Sequence, residues 1–209
     1  MATATLTNRP TLPALNGAAG LAIHRFTLGQ YHEMARAGIL SERDRVELLN
    51  GWIVEKMTIH PPHSFAVRRL SRLLDRLLTD EWVLSVQQPV TIAASDSEPE
   101  PDVVVAVGPD SRYAARHPGP KDVALVVEVA DTSLADDRTT MLGIYAAARL
   151  PVYWIVNLVD RRVEVYTDPR GGKNPTYRTH RDYGPDDAVP VTLAGRTAGS
   201  IPVREILPR

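Results

Sequence analysis

A chain of 209 residues, 44% of them hydrophobic, can bury one continuous core and needs no second one. It has no cysteine, which excludes disulfides and thiolate zinc sites and leaves carboxylates, imidazoles, carbonyls and water as metal ligands, a set suited to hard cations. Lysine plus arginine (24) nearly balance aspartate plus glutamate (25), so no molecule-wide field draws the chain to a polyanion, and nucleic-acid binding requires a local basic patch.

The expected organisation is an N-terminal arm over residues 1–20, rich in Ala, Thr, Pro and Asn, followed by one domain over residues 21–209. Thr27 is placed to cap a short packing helix from about Leu28 to Ala37, with Gly38 as terminator. Arg45 to Lys56 reads as a hairpin turning on Asn50-Gly51, with Glu47 on its first strand. From His63 to Leu78 the apolar residues recur at three and four, while Arg68, Arg69, Arg72 and Arg76 fill the gaps: an amphipathic helix with a basic outer face. Such a stripe suits a phosphate backbone, although a solvated outer face looks the same in sequence.

Three β-like runs follow, at about Val83 to Ile92, Val103 to Val107 and Val123 to Val129. The last two are so uniformly aliphatic that both faces must be covered, as in central strands. A helix is predicted from Asp136 or Asp137 to Ala148, then a strand over Tyr153 to Leu158 paired with Arg162 to Tyr166. Alternation puts Tyr153 and Trp154 on opposite faces of that strand. Beyond Tyr166, Gly, Pro, Asp and Arg predict loop and a docked tail. Val123 to Val127 is among the longest apolar stretches, and it falls far short of the ~20 residues that span a bilayer. The N-terminus shows no basic segment followed by an apolar one, so the cytoplasm is the expected location, with no membrane partner.

Glu100-Pro101-Asp102 precedes one aliphatic strand and Glu128 ends the next, so both carboxylates can emerge at one edge of the sheet. Two ionised carboxylates about 4 Å apart repel by roughly 4 kcal/mol at an effective dielectric of 20, a cost that a divalent cation offsets. Mg²⁺ (or Mn²⁺) so held lowers the pKa of a bound water and stabilises charge on a phosphoryl oxygen, the requirements of phosphodiester hydrolysis. Spacing alone favours a plainer reading, with Asp102 a turn residue after Pro101 and Glu128 a strand-end charge.

The order Val46-Glu47-Leu48-Leu49-Asn50-Gly51, His63, Glu100-Pro101-Asp102-Val103, Val127 to Leu134, Asp137-Arg138, Tyr145 and Tyr153-Trp154-Ile155-Val156 resembles the Uma-two family of restriction endonucleases, within the PD-(D/E)XK nuclease superfamily. The resemblance implies an α/β fold: a restriction-endonuclease-like core with a mixed, twisted sheet flanked by helices, preceded by an N-terminal helix and β-hairpin. It implies Asp102, Glu128 and Glu47 as metal ligands, with His63 a further site residue, DNA as substrate, and association as a homodimer. It also implies a catalytic lysine four residues before Tyr145, where this chain has Met141, and no lysine lies between Lys121 and Lys173. A thioether cannot donate a hydrogen bond or neutralise a phosphorane, and losing such a group costs on the order of 10²–10³ in rate. Arg138, one turn earlier, is a poor substitute, since guanidinium geometry differs from that of an ammonium. The alternative reading is a catalytically inactive nucleic-acid-binding or regulatory protein on the same scaffold.

Overall fold

The computed structural model describes residues 23–41 and 43–209. The predicted arm, residues 1–20, lies outside the described residues. Helix α1 (Leu28–Arg36) opens on a reciprocal capping box: Thr27 accepts from the Gln30 amide and the Gln30 side chain accepts from the Thr27 amide. None of its residues is fully buried, but Tyr31 and Met34 are half-buried and the Tyr31 hydroxyl donates to the Val46 carbonyl at 3.3 Å, so α1 packs on the surface of the hairpin. The hairpin β1 (Val46–Leu49) and β2 (Trp52–Glu55) turns on Asn50 and Gly51, both at positive φ, as a type I′ turn requires.

A six-stranded sheet in the order β3-β4-β5-β6-β7-β8 carries the fold. Its members are β3 (Trp82–Val86), β4 (Val103–Val107), β5 (Val123–Ala130), β6 (Val152–Asn157), β7 (Arg162–Arg170) and β8 (Thr176–Tyr183). Only β5 and β6 run parallel; the other neighbours are antiparallel. The parallel pair needs a crossover, and residues 134–147 supply it: α3 (Leu134–Asp136), a π-helical turn (Asp137–Met141) and α4 (Leu142–Ala147).

Both faces of the central strands are covered, as their unbroken aliphatic runs require. On one face Val103, Val105, Leu125, Val127, Val129 and Trp154 pack with α2 (Pro61–Asp75) through Ala66, Val67, Leu70 and Leu74. On the other, Val104, Val126, Ala130, Tyr153 and Ile155 pack with Met141, Ile144 and Tyr145. Tyr153 and Trp154 thus take opposite faces, as alternation demands.

Two expectations are corrected. The strand predicted to run to Ile92 ends at Val86, because Gln87 takes positive φ and Pro89 cannot donate to a ladder. The segment after Tyr166 is largely regular: β8 completes the sheet, and β9 (Ala188–Leu193) pairs with β10 (Arg196–Pro202) before the short α5 (Val203–Ile206). Val189, Val191 and Leu193 alternate inward to the α2 core, while Pro190 and Thr192 face partly outward. The Gly, Pro and Asp content of this region belongs to its turns.

Candidate active site

The pairing of β4 with β5 decides the geometry. Val103 lies opposite Val127, so the next antiparallel pair outward is Asp102 and Glu128. Both carboxylates therefore leave the sheet at one end, and the Asp102 amide points at Glu128 Oε2, 3.4 Å away. Asp102 Oδ2 accepts from the Val129 amide at 2.9 Å, and Oδ1 accepts from Gln87 Nε2 at 3.2 Å. Gln87 is turned toward Asp102 by the same positive-φ kink that ends β3.

His63, in the first turn of α2, places Nε2 2.9 Å from Asp102 Oδ2. Burial works to lower its pKa, but the hydrogen bond and charge of Asp102, with Asp131 and Asp137 beyond, prevail and hold it above the usual value. Its Nδ1 is buried without a hydrogen-bond partner among the described residues.

Glu128 is buried, and the Tyr145 hydroxyl donates to its Oε1 at 2.6 Å. Desolvation and the charges of Asp102 and Asp137 push its pKa well up, against the opposing pull of Tyr145. Asp137 lies in the π turn, where the Ser133 hydroxyl donates to its Oδ2 at 2.7 Å. Burial first, then the charges of Asp102, Asp136 and Glu47, raise it to about 7.

Glu47 reaches the cluster because the hairpin docks on the segment before β4: the Glu98 amide donates to the Leu48 carbonyl at 2.7 Å. Glu47 Oε2 then accepts from the Glu100 amide at 3.1 Å. Burial raises its pKa, aided by Glu100 and Asp102 and opposed by the Glu100 amide and Lys56. The structure thus brings Glu47, His63, Asp102 and Glu128 together and adds Asp137, which the sequence offered as a helix start and as part of the family-like Asp137-Arg138 pair, without a site role.

Met141 is buried in the apolar cluster with Tyr145, four residues on and hence on the same helical face. Arg138 points elsewhere. It forms a two-pronged pair with Glu164, Nη2 to Oε1 at 2.5 Å and Nε to Oε2 at 3.1 Å, and also meets Asp160. The lysine that does approach the acids is Lys56, at the end of β2, which ion-pairs with Glu100. Nothing in the sequence spacing signalled this, because the hairpin and the Glu-Pro-Asp segment meet only in three dimensions. Among the described residues, no lysine or arginine ion-pairs with Glu47, Asp102, Glu128 or Asp137.

A hard divalent cation fits this donor set. Glu47, Asp102, Glu128 and Asp137 offer only carboxylate oxygens, and burial first, with the neighbouring acids second, raises the pKa of Glu47, Glu128 and Asp137. Among the described residues, the one trio of His, Asp or Glu with ligand atoms all within 4.8 Å of one another is a different group: Glu164, His180 and Asp182. There burial would raise Glu164, but Arg138, Asn157 and Tyr166 outweigh it and hold the carboxylate low, so its charge is already answered. Among the described residues, no three of Glu47, Asp102, Glu128 and Asp137 bring ligand atoms within that 4.8 Å spacing.

The family model Uma2, described as "Putative restriction endonuclease", matches residues 28–203. The chain belongs to the Uma2 family. A crystal structure of "a putative nuclease belonging to DUF820" from Anabaena variabilis ATCC 29413 superposes with a TM-score of 0.60 at 15% identity, covering 87% of this chain and 97% of that one. That likeness carries the fold, a mixed α/β sheet flanked by helices with a separate hairpin. NucC of E. coli MS115-1 in its apo form aligns at a TM-score of 0.29 and 15% identity, covering 67% of this chain and 53% of that one. No curated protein matches the chain. No helix among the described residues is long and apolar enough to cross a membrane.

Proposed function

We propose that this Uma2 protein is a Mg²⁺- or Mn²⁺-dependent endonuclease that hydrolyses DNA phosphodiester bonds, with Asp102 and Glu128 as the principal metal ligands and Glu47 assisting. The observation that carries the reading is the convergence of Asp102 and Glu128 from adjacent strand ends, with Glu128 buried and its pKa raised first by that burial and then by the Asp102 charge. Such a pair is costly without a cation and useful with one. When bound, the ion would acidify a water and offset charge on a phosphoryl oxygen. Tyr145 fixes the Glu128 rotamer, Gln87 and the Val129 amide fix Asp102, and His63 presents a polar ring beside Asp102 within reach of a substrate phosphate. The proposed setting is the cytoplasm, and a homodimer would place two such sites along one duplex.

Met141 favours a second reading, a protein that binds nucleic acid on this scaffold without turnover. Plasmid and single-stranded DNA, incubated with Mg²⁺ or Mn²⁺ and the natural chain, Met141→Lys or Glu128→Gln, distinguish the two. The nuclease reading expects slow cutting by the natural chain, cutting faster by about 10²–10³ with Met141→Lys, and none with Glu128→Gln. If neither the natural chain nor Met141→Lys cuts, and Asp102→Asn leaves the thermal shift caused by Mg²⁺ unchanged, the nuclease reading is wrong.

A further inference from the structure

A second surface, at the first turns of α2, sets arginines around largely apolar walls. A cleft of about 980 Å³ opens between the N-terminal half of α2 and the C-terminal segment that contains α5. Its walls include Phe65 and Leu207, and four arginines line it: Arg69 from α2, Arg161 from the β6–β7 turn, Arg204 from α5 and Arg209 beyond it. Glu205 is the acid among the lining residues, and Arg69 already pairs with it at 3.5 Å. Arg69 and Arg161 also donate to the Glu205 and Pro208 carbonyls, which steadies their side chains without cancelling their charge. Arg204 is exposed, and Phe65 is 37% exposed in the same cleft, so an aromatic face and a guanidinium are open together.

We infer that this cleft seats a nucleic-acid strand, its phosphates against Arg69, Arg161 and Arg204 and a base or sugar against Phe65. The inference rests on the nuclease reading only for the choice of DNA as the polyanion. Charge complementarity and an exposed aromatic among arginines are the ordinary components of a strand-binding groove. The surface continues outward, since Arg68, Arg72 and Arg76 follow Phe65 at helical spacings of three, seven and eleven and all three are exposed. His63, two residues before Phe65, faces the other way, toward Asp102, so the arginine track and the acids share the first turns of α2 but lie on different faces of the helix. A molecule with a formal net charge of −1 has no general attraction for DNA, so binding must come from such a local feature.

Fluorescence anisotropy with labelled single-stranded and duplex oligonucleotides tests this, using the full chain carrying Glu128→Gln to prevent cutting. Arg204→Glu and Arg72→Glu are each expected to weaken binding and to flatten the log–log salt dependence by about 0.7–0.9 for each phosphate left without its arginine. Phe65→Ala is expected to weaken single-stranded DNA binding by about tenfold. Lys173→Glu, an equal charge change on the exposed β7–β8 turn, is expected to have little effect. Arg204, Arg72 and Phe65 are surface residues, and unchanged melting curves confirm that the variants fold. If the parent binds DNA and these variants bind it equally well, the cleft proposal falls while the nuclease reading stands. Loss of binding in Arg204→Glu supports the cleft even if no variant ever cuts DNA. A change in sedimentation with Arg204→Glu, at unaltered DNA affinity, would identify a second copy of the chain as the occupant and overturn the proposal, as would a parent that binds no DNA.

Discussion

Asp137 illustrates how a single buried carboxyl links the site to stability. Its pKa stands at about 7 in the folded chain against roughly 4 in an unfolded one, so the folded state holds a proton that the unfolded state has released. The proton stabilises the fold fully below about pH 4, and the contribution is lost as pH rises through about 7. In metal-free protein, Asp137→Asn is therefore expected to raise the melting temperature at pH 8 relative to the natural chain and to change it little at pH 4. Equal melting shifts at both pH values would contradict this. Arg138 gives the opposite case. Glu164 is buried while the Arg138 side chain is 39% exposed, and Asn157 and Tyr166 still donate to the carboxylate, so Arg138→Met should cost about 1–3 kcal/mol in urea unfolding. A loss below 1 kcal/mol would return Arg138 to consideration as a free cation near the acids.

At the scale of elements, the hairpin positions Glu47 and Lys56, and its turn is fixed by sterics. Gly51 sits at φ +79°, and a Cβ there would lie 2.8 Å from Arg25 Cβ and 3.0 Å from the Phe26 carbonyl oxygen. Gly51→Ala is expected to cost at least about 1–2 kcal/mol by thermal unfolding, from the left-handed backbone alone, and to loosen the contact of Glu47 with Glu100. A variant as stable as the parent would mean that the preceding segment moves aside freely. The crossover helix matters in another way. Its π turn places Asp137 inward and Arg138 toward Glu164, and α4 then carries Tyr145 to Glu128.

For the whole molecule, the sheet is a rigid plate with α2 on one face and the crossover helix on the other, and the acids sit where β4 and β5 end between them. Trp154 is fully buried on the α2 side, so Trp154→Ala should cost about 3–5 kcal/mol and be read as an unfolding change before any loss of DNA cleavage is interpreted. A loss under 1 kcal/mol would show that the plate relaxes around the gap. A rigid plate also explains why two acids 26 residues apart in sequence can face one another: the ladder register holds them in place, and neither loop between them does.

The sequence by itself determined the central strands, the amphipathic helix, the Asn-Gly hairpin and the pairing of Asp102 with Glu128 as candidates. Each is a local pattern: unbroken aliphatic runs, a period near 3.6, a turn dipeptide, acids at strand ends. Tertiary structure alone decided what those patterns meet. Alternation in β9 was hidden by Pro190 and by the turn residues around it, and the docking of α1 on the hairpin depends on surfaces that no window of sequence contains. Likewise the approach of Lys56 to Glu100, Gln87 to Asp102 and Asp137 to the acid cluster depends on how the hairpin, the β3 kink and the π turn dock. Contacts between distant segments come from packing the whole chain, and packing has no local period to read.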